Sequence, residues 1–251
     1  MKGGRKYRNP PVVEALCEIF FTGSNWDDTV PGRFYDQIKK EFPHKRQQEI
    51  REARIELGST GEAATSVRSL APRIQFSSEK KDKLIQLSRD MLVVNQLRPY
   101  PRFEDWEPIL QKALEIYWKL TNPKGIQRIG VRYLNRVLIP LARIKMQDYF
   151  TVYPNIPTAA GNSHGTFMVR VEIPHQKGEH SVLLTFGTTP PDQPGQSAFM
   201  LDIYDSFTPD APVPQKKVRE EILNSHYNVE TAFESSITER LRDVFDREEK
   251  S

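Results

Sequence analysis

Residues Ile126–Pro140 read IQRIGVRYLNRVLIP and lie at the middle of the chain. Every second position is apolar, with Asn135 as the one polar interruption. The apolar positions are Ile129, Val131, Tyr133, Val137 and Ile139. The alternate positions carry Arg128, Arg132 and Arg136. Because successive side chains of a strand point to opposite faces, this pattern predicts a long β-strand with one face in a core.

The segments before this strand predict a half-buried layer of strands and helices. Alternation predicts a strand at Pro11–Phe21, and apolar residues at four-residue steps predict a helix at Pro31–Phe42. Three short strands and a helix follow at Arg73–Ser77, Lys83–Ser88, Met91–Gln96 and Phe103–Leu120. Between them, Lys45–Glu56 mixes charges of both signs, which predicts a solvated helix or an exposed strand. The small residues of Gly58–Thr65 predict a loop.

The segments after this strand predict the same order of elements. A short helix is expected at Leu141–Phe150 and a loop at Tyr153–Gly165. Three strands are expected next, at Thr166–Ile173, Ser181–Phe186 and Ala198–Tyr204. The chain ends in a predicted helical tail over Gln215–Arg247, which we expect to break near Asn224–Asn228 because poor helix formers interrupt it there.

Each half therefore reads strand, helix, three strands, helix. The expected fold class is α+β, in one domain over 1–251 with pseudo-repeat halves at 9–122 and 124–247. Two β-α-β-β-β-α units of this kind predict one continuous, curved antiparallel sheet with helices on one face. The element order resembles that of TATA-binding protein, a resemblance of architecture that carries no function.

A specific contact follows if the leading strands of the two halves lie side by side. Glu14 and Glu18 then share a face with the three arginines. We expect at least one Glu–Arg ion pair to link Pro11–Phe21 with Ile126–Pro140. Such cross-strand pairs contribute only about 0.2–1 kcal/mol each.

Composition is that of an ordinary globular protein. Of 251 residues, 37% are hydrophobic and 27% are charged. The formal net charge of +3 does not by itself indicate a polyanionic partner. The single cysteine, Cys17, excludes an internal disulfide, and its apolar surroundings in sequence favour a buried, unreactive thiol.

The sequence predicts a cytoplasmic location. No apolar run approaches the roughly 20 residues that cross a bilayer. The basic N-terminal stretch, MKGGRKYRNPP, is not followed by the apolar segment and cleavage site of a secretion signal. We therefore expect no membrane partner.

Three blocks of sequence carry a family resemblance. They are NPPVVEALCEIFF at 9–21, RIGVRYLNRVLIP at 128–140 and FESSITERLRDVF at 233–245, with the linking segment PYPRFEDWEPILQKALEIYW at 99–118. In order and spacing they resemble the family of sporadically distributed prokaryotic proteins. The resemblance implies a prokaryotic cytoplasmic protein, gives no catalytic residues, and favours an accessory role because scattered occurrence is typical of genes in mobile or defence islands.

No histidine pattern predicts a metal site. The five histidines are His44, His164, His175, His180 and His226. His175 and His180 are the first and last residues of HQKGEH. This spacing favours a surface turn over zinc ligation. For His226 we expect a cap or a buried hydrogen-bonding role.

No nucleophile or phosphate-binding motif is present in the sequence. It contains neither GxSxG nor GxGxxG nor a Walker sequence. The acidic pairs Asp27–Asp28 and Asp202–Asp205 are interpreted as loop capping and strand-face solvation. We therefore expect no catalytic residues, no cofactor and no metal.

The arginine row is the most informative polar feature. Arg128, Arg132 and Arg136, with Arg170 from the next strand, would form a basic row on a sheet face, suited to phosphates or carboxylates. The favoured interpretation is a mixed-charge face, because the acidic residues Glu14, Glu18, Glu172 and Asp202 are expected on the same side.

Two functions remain. The preferred hypothesis is a non-enzymatic binding or adaptor protein that docks another protein through the sheet face or the long C-terminal helix, as an accessory of a prokaryotic antiviral-defence or regulatory module. The alternative is binding of nucleic acid or a nucleotide-like anion through the arginine row, with an affinity that falls steeply with salt.

Overall fold

The computed structural model describes residues 5–48, 51–57, 63–69, 73–157, 165–175 and 179–246. The elements of the first half are β1 (Val12–Thr22), α1 (Val30–Ile38), β2 (His44–Gln48), β3 (Arg51–Leu57), β4 (Ala63–Ser69), β5 (Arg73–Ser77), β6 (Lys83–Ser88), β7 (Met91–Leu97) and α2 (Phe103–Thr121). Those of the second half are β8 (Gly125–Ile139), β9 (Met168–His175), β10 (His180–Thr188), β11 (Ser197–Phe207), α3 (Gln215–Ser236) and α4 (Glu239–Asp246).

Nine of these strands form one curved, unclosed antiparallel sheet, in the order β2-β5-β6-β7-β1-β8-β11-β10-β9. The leading strands of the two halves, β1 and β8, pair at its centre, with Cys17 opposite Val131 and Ile19 opposite Ile129. Outward from β1 run β7, β6, β5 and β2, and outward from β8 run β11, β10 and β9. The predicted α+β fold with a duplicated, continuous sheet is confirmed. Within the described residues, β3 and β4 pair as a separate two-stranded sheet.

The core lies between the sheet and the helices. Helix α2 buries Trp106, Leu110 and Tyr117, and α3 packs over β8, β11 and β10. The apolar register of β8 is buried, whereas Arg132 on its opposite face is exposed. Full burial of a large apolar side chain contributes about 1.5–3 kcal/mol, so this one-sided layer supplies the main stabilisation of the fold.

The helix predicted at Leu141–Phe150 is wrong. The structure has only a 3₁₀ turn at Met146–Asp148. Backbone groups at the end of this stretch bond across to the C-terminal segment instead: Thr151 N–H donates to the carbonyl of Ser236, and Thr238 N–H to that of Tyr149. Local helical bonds therefore end at Phe150, whose N–H donates to the Met146 carbonyl, and a bridge to a distant segment continues from there.

The break in the helical tail lies later than predicted. Helix α3 runs without interruption through Asn224–Asn228 and ends at Ser236. Ser225 and Asn228 are buried there, so tertiary contacts outweigh their low helix propensity. The chain instead leaves the helix at Ile237, which is extended and forms a bridge with Phe150.

Three further predictions concern segments that the structure describes only in part. In the charged segment Lys45–Glu56, residues 45–48 and 51–56 lie in strands, one of its two predicted alternatives, and residues 49–50 lie outside the described part. In the loop predicted at Gly58–Thr65, residues 58–62 lie outside the described part, and β4 already begins at Ala63. Likewise, residues 158–164 of the predicted loop Tyr153–Gly165 lie outside the described part.

No described helix combines the length and the apolar character needed to cross a membrane.

Candidate functional site

The arginine row lies on the face of the sheet opposite the helices, which we call the open face. Acidic side chains form ion pairs with three of its arginines. The three pairs are Arg128–Glu18, Arg132–Asp202 and Arg136–Asp192. Arg132 donates to both oxygens of its partner, at 2.7 and 2.5 Å, and this hydrogen bonding raises the pKa of the guanidinium. Arg170 lies on the edge strand β9 and lines the same shallow depression as Arg128 and Arg132. Anion binding by the row stays a prediction, but its charge is already largely neutralised.

The pairing of the two leading strands produces the ion pair that the sequence predicts. Arg128 Nη2 lies 3.4 Å from Glu18 Oε1. The same carboxylate accepts a hydrogen bond from the Tyr204 hydroxyl at 2.7 Å. Glu14 instead accepts a 2.6 Å hydrogen bond from the Asn95 amide. The open face thus presents a paired, mixed-charge surface rather than a basic one.

A cavity of about 360 Å³ lies at the junction of the two halves, on the helix side of the sheet. Its walls come from residues 5–12, the turn 100–104, strand β8 and helix α3. The lining is mostly apolar and aromatic. A concave, largely apolar cavity of this size with a few converging polar groups is the usual form of a binding site in a protein.

Local sequence explains how the walls are built. Pro99 and Pro101 flank Tyr100 and restrict the turn to extended backbone, which places this tyrosine against β8. On α3, His226, Glu230 and Phe233 follow at three- and four-residue steps and therefore share one face of the helix.

A chain of polar groups crosses the cavity wall. The hydroxyls of Tyr100 and Tyr133 lie 2.7 Å apart, and the Tyr133 hydroxyl lies 3.1 Å from His226 Nδ1. His226 Nε2 lies 3.3 Å from Glu230 Oε1. The imidazole also stacks on the Phe103 ring, with centroids 3.9 Å apart. The predicted hydrogen-bonding role of His226 is confirmed.

Tyr100 and Tyr133 are hydrogen-bonding groups rather than bases. Burial raises the pKa of Tyr100 and that of Tyr133 well above the ordinary value. Both hydroxyls therefore stay protonated at neutral pH. They can orient a ligand by donating and accepting hydrogen bonds.

An open groove of about 1330 Å³ continues from the cavity. The two share Pro10, Pro11, Val12 and Tyr100 in their linings. Three arginines and four prolines line the groove, together with apolar residues, and its described lining contains no acidic side chain. The arginines are Arg8, Arg98 and Arg136.

The N-terminal segment forms the roof of the cavity and is tied to the C-terminal helices. Tyr7 donates a 2.7 Å hydrogen bond to Glu234, and Asn9 N–H donates to the Phe245 carbonyl at 2.9 Å. Arg5 forms ion pairs with Glu239 and Asp246. These contacts join the two ends of the chain over the site.

The centre of a second polar cluster, His180 and Asp205, is fully buried, against the prediction of a surface turn around His180. His180 and Asp205 are both 0% exposed, with Nδ1 2.8 Å from Oδ2. Asn228 donates to the other Asp205 oxygen at 3.1 Å, and Glu221 lies 3.7 Å from His180 Nε2. Burial lowers the pKa of His180, but the hydrogen bonds and charges of Asp205 and Glu221 together outweigh it and raise the pKa overall. His180 begins a strand on its core face, which the turn-like sequence HQKGEH conceals; residues 176–178 of this stretch lie outside the described part.

The other candidate residues have structural roles. Asp205 is buried, so its interpretation as a solvated residue of the strand face is wrong. Asp27 caps a loop as predicted, because its carboxylate accepts a hydrogen bond from the Thr29 N–H at 2.7 Å. Cys17 is buried, as predicted, and burial raises the pKa of its thiol. Among the described residues, no group of histidine, cysteine and acidic side chains could hold a metal ion.

The cavity residues were not identifiable as a site from the sequence. Tyr133 and His226 are separated by 93 positions and Tyr100 and Tyr133 by 33. The available signal was the tyrosine between two prolines, in a segment that otherwise predicts only a turn.

A comparison of the chain with protein-family models and with curated proteins gives no match.

Proposed function

We propose that the protein is a binding adaptor that holds an extended segment of a partner protein. An aromatic side chain of that segment would occupy the cavity, and the flanking residues would lie along the groove. The single observation that carries this proposal is the continuity of an aromatic-lined cavity with a larger groove, which share Pro10, Pro11, Val12 and Tyr100 in their linings.

The chemistry of the two regions supports this division. Aromatic side chains have a large apolar surface and often a polar tip, which suits an apolar cavity with hydroxyl groups in its wall. The Tyr100 and Tyr133 hydroxyls would accept or donate a hydrogen bond at that tip. The groove's described lining has arginines and no acidic side chain, which favours an acidic segment through charge complementarity.

Part of the positive charge of the groove is already compensated by an acidic side chain. Arg136 donates to both carboxylate oxygens of Asp192, at 3.1 and 2.7 Å. Arg98 is exposed and forms no ion pair with another described residue. Arg98 is therefore the residue to which we assign recognition of a partner carboxylate.

Selection from a phage-displayed library of random twelve-residue peptides tests this function. We expect enrichment of peptides with one aromatic residue flanked by Asp or Glu. Val229→Trp should abolish their binding by filling the cavity, and Arg98→Glu should weaken it about fivefold, as for loss of an ion pair of about 1 kcal/mol.

Lys45→Glu on the distant strand β2 is the matched control and should leave peptide binding unchanged. Selection without an aromatic–acidic pattern would contradict the proposal. Equal binding by the Val229→Trp variant, shown to be folded by circular dichroism, would contradict it as well. The same proposal places the adaptor in the cytoplasm, with a partner from a prokaryotic defence or regulatory module, as the family resemblance implies.

A further inference from the structure

Strand β9 ends the sheet and leaves one row of backbone groups without a partner strand among the described residues. Thr188 N–H donates to the Phe167 carbonyl at 3.1 Å. Because hydrogen-bonded positions alternate along an antiparallel pair, Val169, Val171 and Ile173 bond to β10. The N–H and C=O groups of Met168, Arg170 and Glu172 therefore point away from the sheet, and Pro174, which has no N–H, stands in the same outward series.

The side chains of this strand are unusually exposed for their type. Val171 and Ile173 lie on the helix side of the sheet but are 41% and 37% exposed, and Met168 is 76% exposed. Helix α3 packs over β8, β11 and β10 and leaves Val171 and Ile173 of β9 partly uncovered. An exposed apolar edge strand of this kind is a template for pairing with another strand.

The sequence of β9 is complementary to itself in one register. We propose that β9 is the interface for a second copy of this chain, paired antiparallel about a twofold axis at Val171. In this register Arg170 faces the partner's Glu172, and Val169 faces the partner's Ile173. The outward backbone groups of Arg170 and Glu172 then meet those of the partner's Glu172 and Arg170, as an antiparallel ladder requires.

Neighbouring registers are disfavoured by charge. Centring the axis on Arg170 would place two arginines face to face, and centring it on Glu172 would do the same with two glutamates. Like charges directly opposite each other destabilise a strand pair. A one-residue slip would place outward backbone groups opposite inward ones and apolar side chains opposite charged ones.

The other edge of the sheet lacks this complementarity. Strand β2 reads HKRQQ and contains no acidic residue to face Lys45 or Arg46 of a second copy. Pairing through β9 is isologous, and it leaves β2 outermost on both sides of the joined sheet. Association should therefore stop at the dimer.

Sedimentation velocity over a concentration series tests the interface with charge-swapped variants. Arg170→Glu places glutamates face to face twice per dimer, and Glu172→Arg does the same with arginines. Each single variant should weaken dimerisation on the order of tenfold or more. The double variant Arg170→Glu/Glu172→Arg should dimerise like the wild type.

The decisive sample is an equimolar mixture of the two single variants. Arg170→Glu chains have two acidic residues on β9 and Glu172→Arg chains have two basic ones, so every cross-strand pair in a mixed dimer is attractive. We expect a heterodimer from two chains that remain monomeric when alone. Lys45→Glu is the control at the opposite edge and should dimerise normally. A wild type that stays monomeric, or single variants that dimerise as the wild type does, would overturn the proposal.

Discussion

The two halves of the sheet have the same strand order but end differently. In the first half the outer strand β5 pairs with the additional strand β2. In the second half the corresponding strand β9 has no such neighbour within the described residues. A repeated order of one leading strand and three outer strands thus gives the shared sheet, while one additional strand determines which edge is protected.

The halves also differ in how their helices are anchored. Helix α2 is held in the first half by a fully buried Trp106 and by Tyr117 stacked on Phe21, with centroids 4.0 Å apart. Helix α3 is held in the second half partly by the buried His180–Asp205 pair and Asn228. The first anchor is aromatic and insensitive to pH near neutrality, because burial raises the pKa of Tyr117 to about 12, whereas the second contains a histidine and an aspartate.

The largest expected effect comes from the apolar anchor. Trp106→Ala removes a side chain that is 0% exposed and should lower the free energy of unfolding by about 3–5 kcal/mol. Urea unfolding followed by circular dichroism measures this change. Because one sheet runs through both halves, we expect a single transition at a lower urea concentration. A two-step curve in which only one step moves would contradict the continuous core.

Substitution in the polar anchor of α3, formed by His180, Asp205 and Asn228, should lower the free energy of unfolding nearly as much. Asp205→Asn keeps the shape of the side chain but removes the charge that faces His180, and we expect a loss of about 3 kcal/mol in unfolding free energy. Glu18→Gln, at the partly exposed pair with Arg128, is the matched control and should cost no more than about 1 kcal/mol. Equal losses for the two variants would show that burial of the pair does not matter.

The polar anchor should also make stability depend on pH. The folded-state pKa of His180 is raised above the ordinary value of 6.5. Its contribution is therefore fully present below that value and is lost as the pH rises through the folded-state pKa. Unfolding free energies measured from pH 5 to 9 should fall more steeply with pH in the wild type than in His180→Gln. Parallel plots of unfolding free energy against pH for the two proteins would show that His180 is not the source of the pH dependence.

The smallest effect is expected at the junction that both halves share. Tyr133→Phe removes the hydroxyl between Tyr100 and His226 and should cost about 1 kcal/mol of stability. Tyr149→Phe, whose ring lies outside the cavity, is the comparison. If Tyr133→Phe is as destabilising as Trp106→Ala, the hydroxyl chain is part of the core rather than the wall of a site.

The sequence predicts most of the fold because alternation is a local signal. The period of two in Ile126–Pro140 is sufficient to place a strand and its buried face, and the Glu18–Arg128 pair follows from the duplicated order. The prediction is wrong where distant contacts compete with local preference. Asn228 stays helical because Asp205 accepts its hydrogen bond, and Phe150 bridges to Ile237 instead of ending a helix.

The candidate site was less predictable for the same reason. Tyr133 occupies a core position by periodicity, and nothing near it in sequence shows that Tyr100 and His226 will meet its hydroxyl. His180 resembles part of a surface turn until its partner Asp205 is brought beside it by strand pairing. Chemistry that depends on pairs far apart in the chain becomes visible only when the sheet is assembled.

Amide hydrogen exchange, followed by NMR over a range of protein concentrations, tests the contrast between the two edges most directly. The N–H of Gln75 on β5 faces β2 and should be protected at every concentration. The N–H groups of Arg170 and Glu172 should exchange rapidly in dilute solution and become protected as the concentration rises. Protection of Arg170 and Glu172 equal to that of Gln75 in dilute solution, or rapid exchange at all concentrations, would contradict an edge that is open in the monomer and closed by a second copy.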